Sequence, residues 1–137
     1  MIEPMHLPQG YTYSVKPTGT ATDYTVTLFY ERKIIGTVRV SEATAKCAGR
    51  SVRVHETHCS PGLDPTHRNK GLGIFMYAVA IEHGLRQGFT VVSSWNPSAL
   101  AQRVWRSQRL SERFMVNKFA KRWWTSPPRV IEEEVIK

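Results

Sequence analysis

Along residues 11–58 the chain alternates between apolar and polar positions. Tyr11, Tyr13 and Val15 stand between polar neighbours, and Tyr24, Val26, Leu28 and Tyr30 repeat the pattern. A period of two is the signature of strands with one buried face. Thr18-Gly19-Thr20 and Glu31-Arg32-Lys33 are short polar breaks. Tyr11–Pro17, Asp23–Tyr30 and Lys33–Val40 are therefore predicted to be consecutive antiparallel strands, since such short connections leave no room for a crossover. Residues 41–49 read as a polar, Ala-rich connection. Ser51–His58 alternates again, with Val52, Val54 and Glu56 on one face, so that a carboxylate ends an apolar row.

The period changes after Gly71. Leu72, Phe75, Met76 and Val79 recur at helical spacing, predicting a helix of about three to four turns that stops at Gly84 or Gly88. Phe89–Ser93 reads as a short buried strand. Asn96-Pro97 offers an N-cap and a first-turn proline, so a second helix is predicted over Pro97–Arg109, with Leu100, Ala101, Val104 and Trp105 facing inward. Phe114–Trp124 fits a strand or a helix equally well, and Ser126-Pro127-Pro128 interrupts whatever precedes it.

The length of 137 residues suits one domain over residues 1–137, with a core of its own. Lys and Arg number 19 against 11 Asp and Glu, a formal charge of +8, which favours polyanionic ligands without choosing between a nucleic acid and a phosphorylated cofactor. Two cysteines, and no run resembling a signal peptide or a membrane span, lead us to expect a reduced cytoplasmic protein with no membrane partner.

The chemistry concentrates in Leu63-Asp64-Pro65-Thr66-His67-Arg68-Asn69-Lys70-Gly71-Leu72-Gly73, between a predicted strand and a predicted helix. Glycines let the backbone approach an anion, successive amides converge on its oxygens, and the helix N-terminus adds favourable potential. Arg68 and Lys70 add charge-assisted contacts. A Walker motif is excluded because Lys70 precedes Gly71 and no hydroxyl follows. The dinucleotide fingerprint is excluded because its third glycine is missing.

Arg68-Asn69-Lys70-Gly71-Leu72-Gly73 resembles the Gln/Arg-x-x-Gly-x-Gly/Ala pattern of the GNAT superfamily of N-acetyltransferases, and Leu63-Asp64-Pro65 resembles its Val-Asp-Pro lead-in. With the following helix, strand and second helix, the similarity covers about residues 51–110. The resemblance implies an α/β (α+β) fold: a central mixed, mostly antiparallel sheet flanked by helices. It also implies acetyl-CoA in a cleft between diverging strands, with Leu63, Arg68, Asn69, Lys70, Gly71, Leu72, Gly73, Ser98 and Trp105 as binding positions, and transfer of the acetyl group to an amine. Two departures stand out. Trp105 occupies the position where the family usually places a tyrosine acid, and an indole is no substitute for a phenol. Only Pro17–Thr22 separates the first two strand patterns, where the family usually has two helices.

Glu56 and His58 share a strand face and are the catalytic candidates. Desolvation on an apolar face would suit Glu56 to act as a base, whereas a structural role would pair it with an arginine such as Arg39 or Arg53. No metal is expected, because His55-Glu56-Thr57-His58 is one residue short of His-Glu-x-x-His and residues three apart on a strand point to opposite faces. Arg103, Arg106, Arg109, Lys121 and Arg122 interleave with Trp105, Trp123 and Trp124. They form either a nucleic-acid surface or a solvated face over tryptophans that lie in the core or at a homodimer contact. The open front predicts an acceptor on a macromolecule, a protein rather than a free polyamine. A non-catalytic module binding nucleic acid or a protein partner is the alternative.

Overall fold

The computed structural model describes residues 5–19, 22–47, 49–58, 63–68, 70–95, 97–119 and 122–125. The strands are β1 Tyr11–Pro17, β2 Tyr24–Tyr30, β3 Lys33–Cys47, β4 Arg50–His58, β5 Thr90–Val92, β6 Val116–Phe119 and β7 Arg122–Thr125. They form one sheet in the order β1-β2-β3-β4-β5-β7-β6. Every described pairing is antiparallel except that of β4 with β5. The helices are α1 Leu72–Arg86, α2 Ala99–Arg106 and α3 Gln108–Ser111, and a short 3-10 turn spans Pro65–His67. No helix among the described residues is long and apolar enough to cross a membrane.

At the front, β1 and β2 pair from Tyr11↔Tyr30 to Pro17↔Tyr24, and Thr18 N–H donates to Asp23 O at 3.0 Å. The two strands pair as a hairpin, and none of the described residues between them is helical. The predicted connection at residues 41–49 is instead largely strand. β3 pairs with β4 from Arg39↔His58 to Cys47↔Arg50, and Ala43 and Ala45 pack with Val52 and Val54. Pairing with a neighbour and a shared apolar face override the weak strand propensity of alanine.

Helix α1 runs through Gly84 rather than stopping there. A Cβ at Gly84 would stand 2.5 Å from Val91 Cγ2 and 2.9 Å from Tyr24 Oη, so the residue is glycine because the sheet lies against it. The helix ends before Gly88, whose φ is +87°, with Phe89 N–H closing onto Gly84 O at 3.0 Å. The predicted single helix to Arg109 is broken at Ser107, which is extended and caps α3, its Oγ accepting from Leu110 N–H at 3.3 Å. Ser98 caps α2, accepting from Ala101 N–H at 3.1 Å. Asn96, expected in that role, lies outside the described residues, as do residues 126–137. The ambiguous C-terminal stretch is the hairpin β6–β7.

The sheet has two unlike faces. Tyr24, Val26, Leu28, Val38, Val40 and Val91 pack with α1, α2 and α3 in the main core. Ala45, Val54, Val92 and Trp124 form a smaller cluster on the other face, and among the described residues no buried helical residue joins it.

Candidate active site

β4 and β5 touch over a short register, Val54↔Thr90 to Glu56↔Val92. Beyond it they part. The chain after β5 turns toward β7, with Ser93 N–H donating to Trp123 O at 2.9 Å. Asp64, which follows β4 in the chain, lies against β3, its N–H donating to Ile35 O at 2.7 Å. Thr57 Oγ1 donates to Val92 O at 3.2 Å at the point of divergence. Past Glu56, therefore, the β5-side edge of β4 faces a fork between the strands.

On the helical side of the fork lies the glycine loop. Asp64 caps the 3-10 turn by accepting from Thr66 N–H at 3.0 Å and Thr66 Oγ1 at 2.9 Å, and these bonds hold its carboxyl below the usual carboxylate range. Tyr11 Oη lies 2.7 Å from His67 Nδ1, tying the turn to β1. Gly71 sits at φ +75° as the N-cap of α1 and supplies no side-chain cap. The first-turn amides of Leu72, Gly73 and Ile74 have no intrahelical acceptor by the geometry of an α-helix. Lys70 and Arg68 are exposed, and Arg68 ends the 3-10 turn in extended backbone. A further cation stands here that the sequence did not single out for this site: a Cβ at Gly71 would lie 2.9 Å from Arg109 Nη1. Arg109 belongs to α3, which is anchored by the fully buried Leu110. A Cβ at Gly73 would meet Val104 Cγ2 at 3.4 Å, an ordinary contact, so that glycine also borders α2.

On the opposite face, Glu56 and His58 lie together as their spacing predicts. Glu56 Oε1 is 3.0 Å from His58 Nε2. Its other oxygen pairs with Arg122 Nη2 of β7, not with Arg39 or Arg53; Arg53 pairs with Glu42 at 2.6 Å. Arg122 is 1% exposed. It donates to Ser93 O from Nε at 3.0 Å and from Nη2 at 2.7 Å, and its guanidinium lies 4.4 Å from the ring centre of Trp95. Burial lowers the guanidinium's pKa, and the neighbouring Glu56 charge opposes that shift. The basic C-terminal third thus contains a buried structural cation that its composition hid.

Other expected positions fall elsewhere. Trp105 and Trp124 are each 1% exposed, so they are core and not stacking platforms for nucleic-acid bases. Trp105 packs edge-on against Tyr77, and its Nε1 is buried without an acceptor. Ser98 spends its hydroxyl on the α2 cap. Leu63 is buried in the main core, so its side chain faces away from solvent. Asn69, Cys59 and Lys121 lie outside the described residues. Among the described residues no group of three or more His, Cys, Asp and Glu gathers to hold a metal ion.

His55 points to the helical face. Thr22 Oγ1 donates to Glu42 Oε1 at 3.1 Å and lies 2.8 Å from His55 Nε2. The hydroxyl's one proton is committed to Glu42, so Nε2 carries the imidazole proton. Nδ1 is left buried without a partner.

No family model matches the sequence, and no curated protein matches it. Solved structures do. The acetyltransferase of the GNAT family from Streptococcus pneumoniae is 16% identical with a TM-score of 0.51, over 76% of this chain and 64% of that one. The chain thus spans less than two thirds of that protein's length. A point mutant of the AtaT toxin, solved with the C-terminus of the antitoxin AtaR and acetyl-CoA, is 15% identical with a TM-score of 0.55, over 84% of this chain and 73% of that one. An N-acetyltransferase from Kribbella flavida is 13% identical with a TM-score of 0.50, over 59% of this chain and 20% of that one. The mixed sheet with its parallel fork, and these likenesses, establish that the chain has the fold of the GNAT acetyltransferases.

Proposed function

We propose that the chain transfers an acetyl group from acetyl-CoA, bound as a substrate, to an amine. The observation that carries this reading is the fork between β4 and β5. It lies between an uncapped helix start beside Arg109 on one face of the sheet and the Glu56–His58 pair on the other. A donor with phosphates at one end and a thioester at the other suits an anion site on one side of the fork and a proton acceptor on the other. Arg68, Lys70, Gly71, Leu72 and Gly73 hold the pyrophosphate in this reading, together with Asn69, and the backbone near Leu63 holds the pantetheine. Ser98 and Trp105 act through the placement of α2. The AtaT likeness, solved with acetyl-CoA, supports the assignment of the donor.

Amine attack on the thioester carbonyl needs a group to take the proton released from nitrogen, and the Glu56–His58 pair supplies it. The acceptor is a macromolecule, a protein amine in acidic surroundings. Two observations support this: the β1–β2 hairpin leaves out the helices that would wall a closed pocket, and a charge of +8 disfavours polyamines. Thermal stabilisation measured with acetyl-CoA and with RNA and DNA oligonucleotides tests the reading. Stabilisation by acetyl-CoA is expected. Stabilisation by oligonucleotides alone would favour a non-catalytic nucleic-acid-binding module instead.

A further inference from the structure

We infer that His58, not Glu56, takes the proton from the attacking amine, and that Glu56 and Arg122 are positioning residues. The inference rests on the acetyl-transfer reading above. Both oxygens of Glu56 are engaged, Oε2 by Arg122 and Oε1 by His58 at 3.0 Å. Protonating Oε2 would break its pair with Arg122, and Oε1 is covered by the His58 ring. Arg122 cannot follow a moving carboxylate, because its own Nε and Nη2 are fixed on Ser93 O.

A carboxylate oxygen 3.0 Å from Nε2 repels a lone pair on that nitrogen and favours the imidazole proton there. In the neutral ring the lone pair is then on Nδ1. The His58 side chain is 42% exposed against 16% for Glu56, so an incoming amine reaches the histidine more readily. The arrangement is that of a base held in one tautomer by a carboxylate that is itself held in place. Among the described residues, the charged groups facing His58 are Glu56 on its own strand, Arg39 opposite it on β3, and Arg122 from β7 beyond Glu56.

In the reaction, the amine nitrogen bonds to the thioester carbonyl carbon, and the proton it sheds passes to His58 Nδ1. The tetrahedral intermediate then collapses, the carbon–sulfur bond breaks, and the sulfur leaves with the electron pair. It takes its proton from the imidazolium, which returns to the neutral ring. The products are the N-acetyl amide and CoA. One imidazole serves as base and then as acid, which removes the need for the tyrosine that Trp105 replaces.

The test uses His58→Gly and Glu56→Gln in the full chain. Acetyl-CoA affinity is measured by calorimetry, and acetyl transfer is assayed on a whole-cell protein extract and a panel of free amines. His58→Gly is expected to bind acetyl-CoA within about twofold of the wild type, to lose about 100-fold or more in kcat, and to regain turnover when free imidazole is added. Glu56→Gln keeps an acceptor oxygen for Nε2 and is expected to lose less. Turnover at the wild-type rate in His58→Gly, or a loss that imidazole does not relieve while Glu56→Gln is equally inactive, overturns the assignment and leaves acetyl transfer standing. Absence of acetyl-CoA binding, or of transfer to any probe, by the wild type overturns the acetyl-transfer reading and this assignment with it.

Discussion

Arg122 on β7 reaches past β5 to pair with Glu56 on β4, and the same guanidinium holds the carbonyl of Ser93 where β5 ends. One side chain thus spans the three strands whose separation makes the fork.

Removing that cation should cost stability because it strands a largely buried carboxylate. Arg122→Met is predicted to destabilise by roughly 3 kcal/mol, at the lower end for a broken buried pair because Glu56 keeps some exposure. Adding Glu56→Gln to Arg122→Met should recover part of the loss. Urea denaturation of the two single variants and the double variant, taken as a cycle, checks this. Strict additivity would contradict it.

Arg109 belongs with the glycine loop rather than with a separate basic face. Its guanidinium stands over Gly71, where the helix start is uncapped. Among the described residues no carboxylate forms an ion pair with it. Arg109→Ala should weaken acetyl-CoA binding about tenfold, the scale of one charge-assisted contact, without shifting the melting temperature. Calorimetry reads the first and a thermal melt the second.

Gly84 sets helix propensity against packing. Alanine in a helix interior is favoured over glycine by about 1 kcal/mol. Here its methyl would fall 2.5 Å from Val91 Cγ2 and 3.2 Å from His55 Nδ1, in a wall of β-sheet that has no room to retreat. Overpacking of this kind costs about 1–3 kcal/mol, and the clash lies at the severe end of that range. Gly84→Ala is therefore predicted to be net destabilising in chemical denaturation.

Much of the sheet was legible because its chemistry is local. The alternations at Tyr11–Pro17 and Asp23–Tyr30 and the helical spacing after Gly71 each report a buried face directly. Glu56 and His58 were placed on one face by the same logic. The partner of Glu56 was not legible, because Arg122 lies 66 residues away and reaches Glu56 through a hairpin whose own pattern fitted strand and helix alike. The break at Ser107 was missed because Val104, Trp105 and Leu110 keep nearly helical spacing across two short helices. The proximity of Gly71 to Arg109 depends on that break, so it could not be read either.

His55 makes stability depend on pH. Burial lowers its pKa, the charges of Glu42 and Asp23 oppose that shift, and His83 on α1 adds to it. The folded state thus favours the neutral ring more than the unfolded state does. Its contribution to stability is present above the ordinary histidine value of about 6.5 and is lost as pH falls through the lower folded-state value. Denaturation midpoints at neutral and mildly acidic pH should show this decline in the wild type and a smaller one in His55→Gln. Parallel declines would assign the pH dependence to other groups.

In the proposed reading, the loop at Arg68–Gly73 and the fork beside it bind acetyl-CoA. Calorimetric titration of the wild type and of Gly71→Glu with acetyl-CoA tests it most directly. The substitution places a carboxylate at the helix start where the phosphates would lie, in a left-handed backbone already crowded by Arg109. Saturable binding to the wild type, with none to a Gly71→Glu protein that still melts cooperatively, is the predicted result. Equal affinity in the two folded proteins would contradict the account.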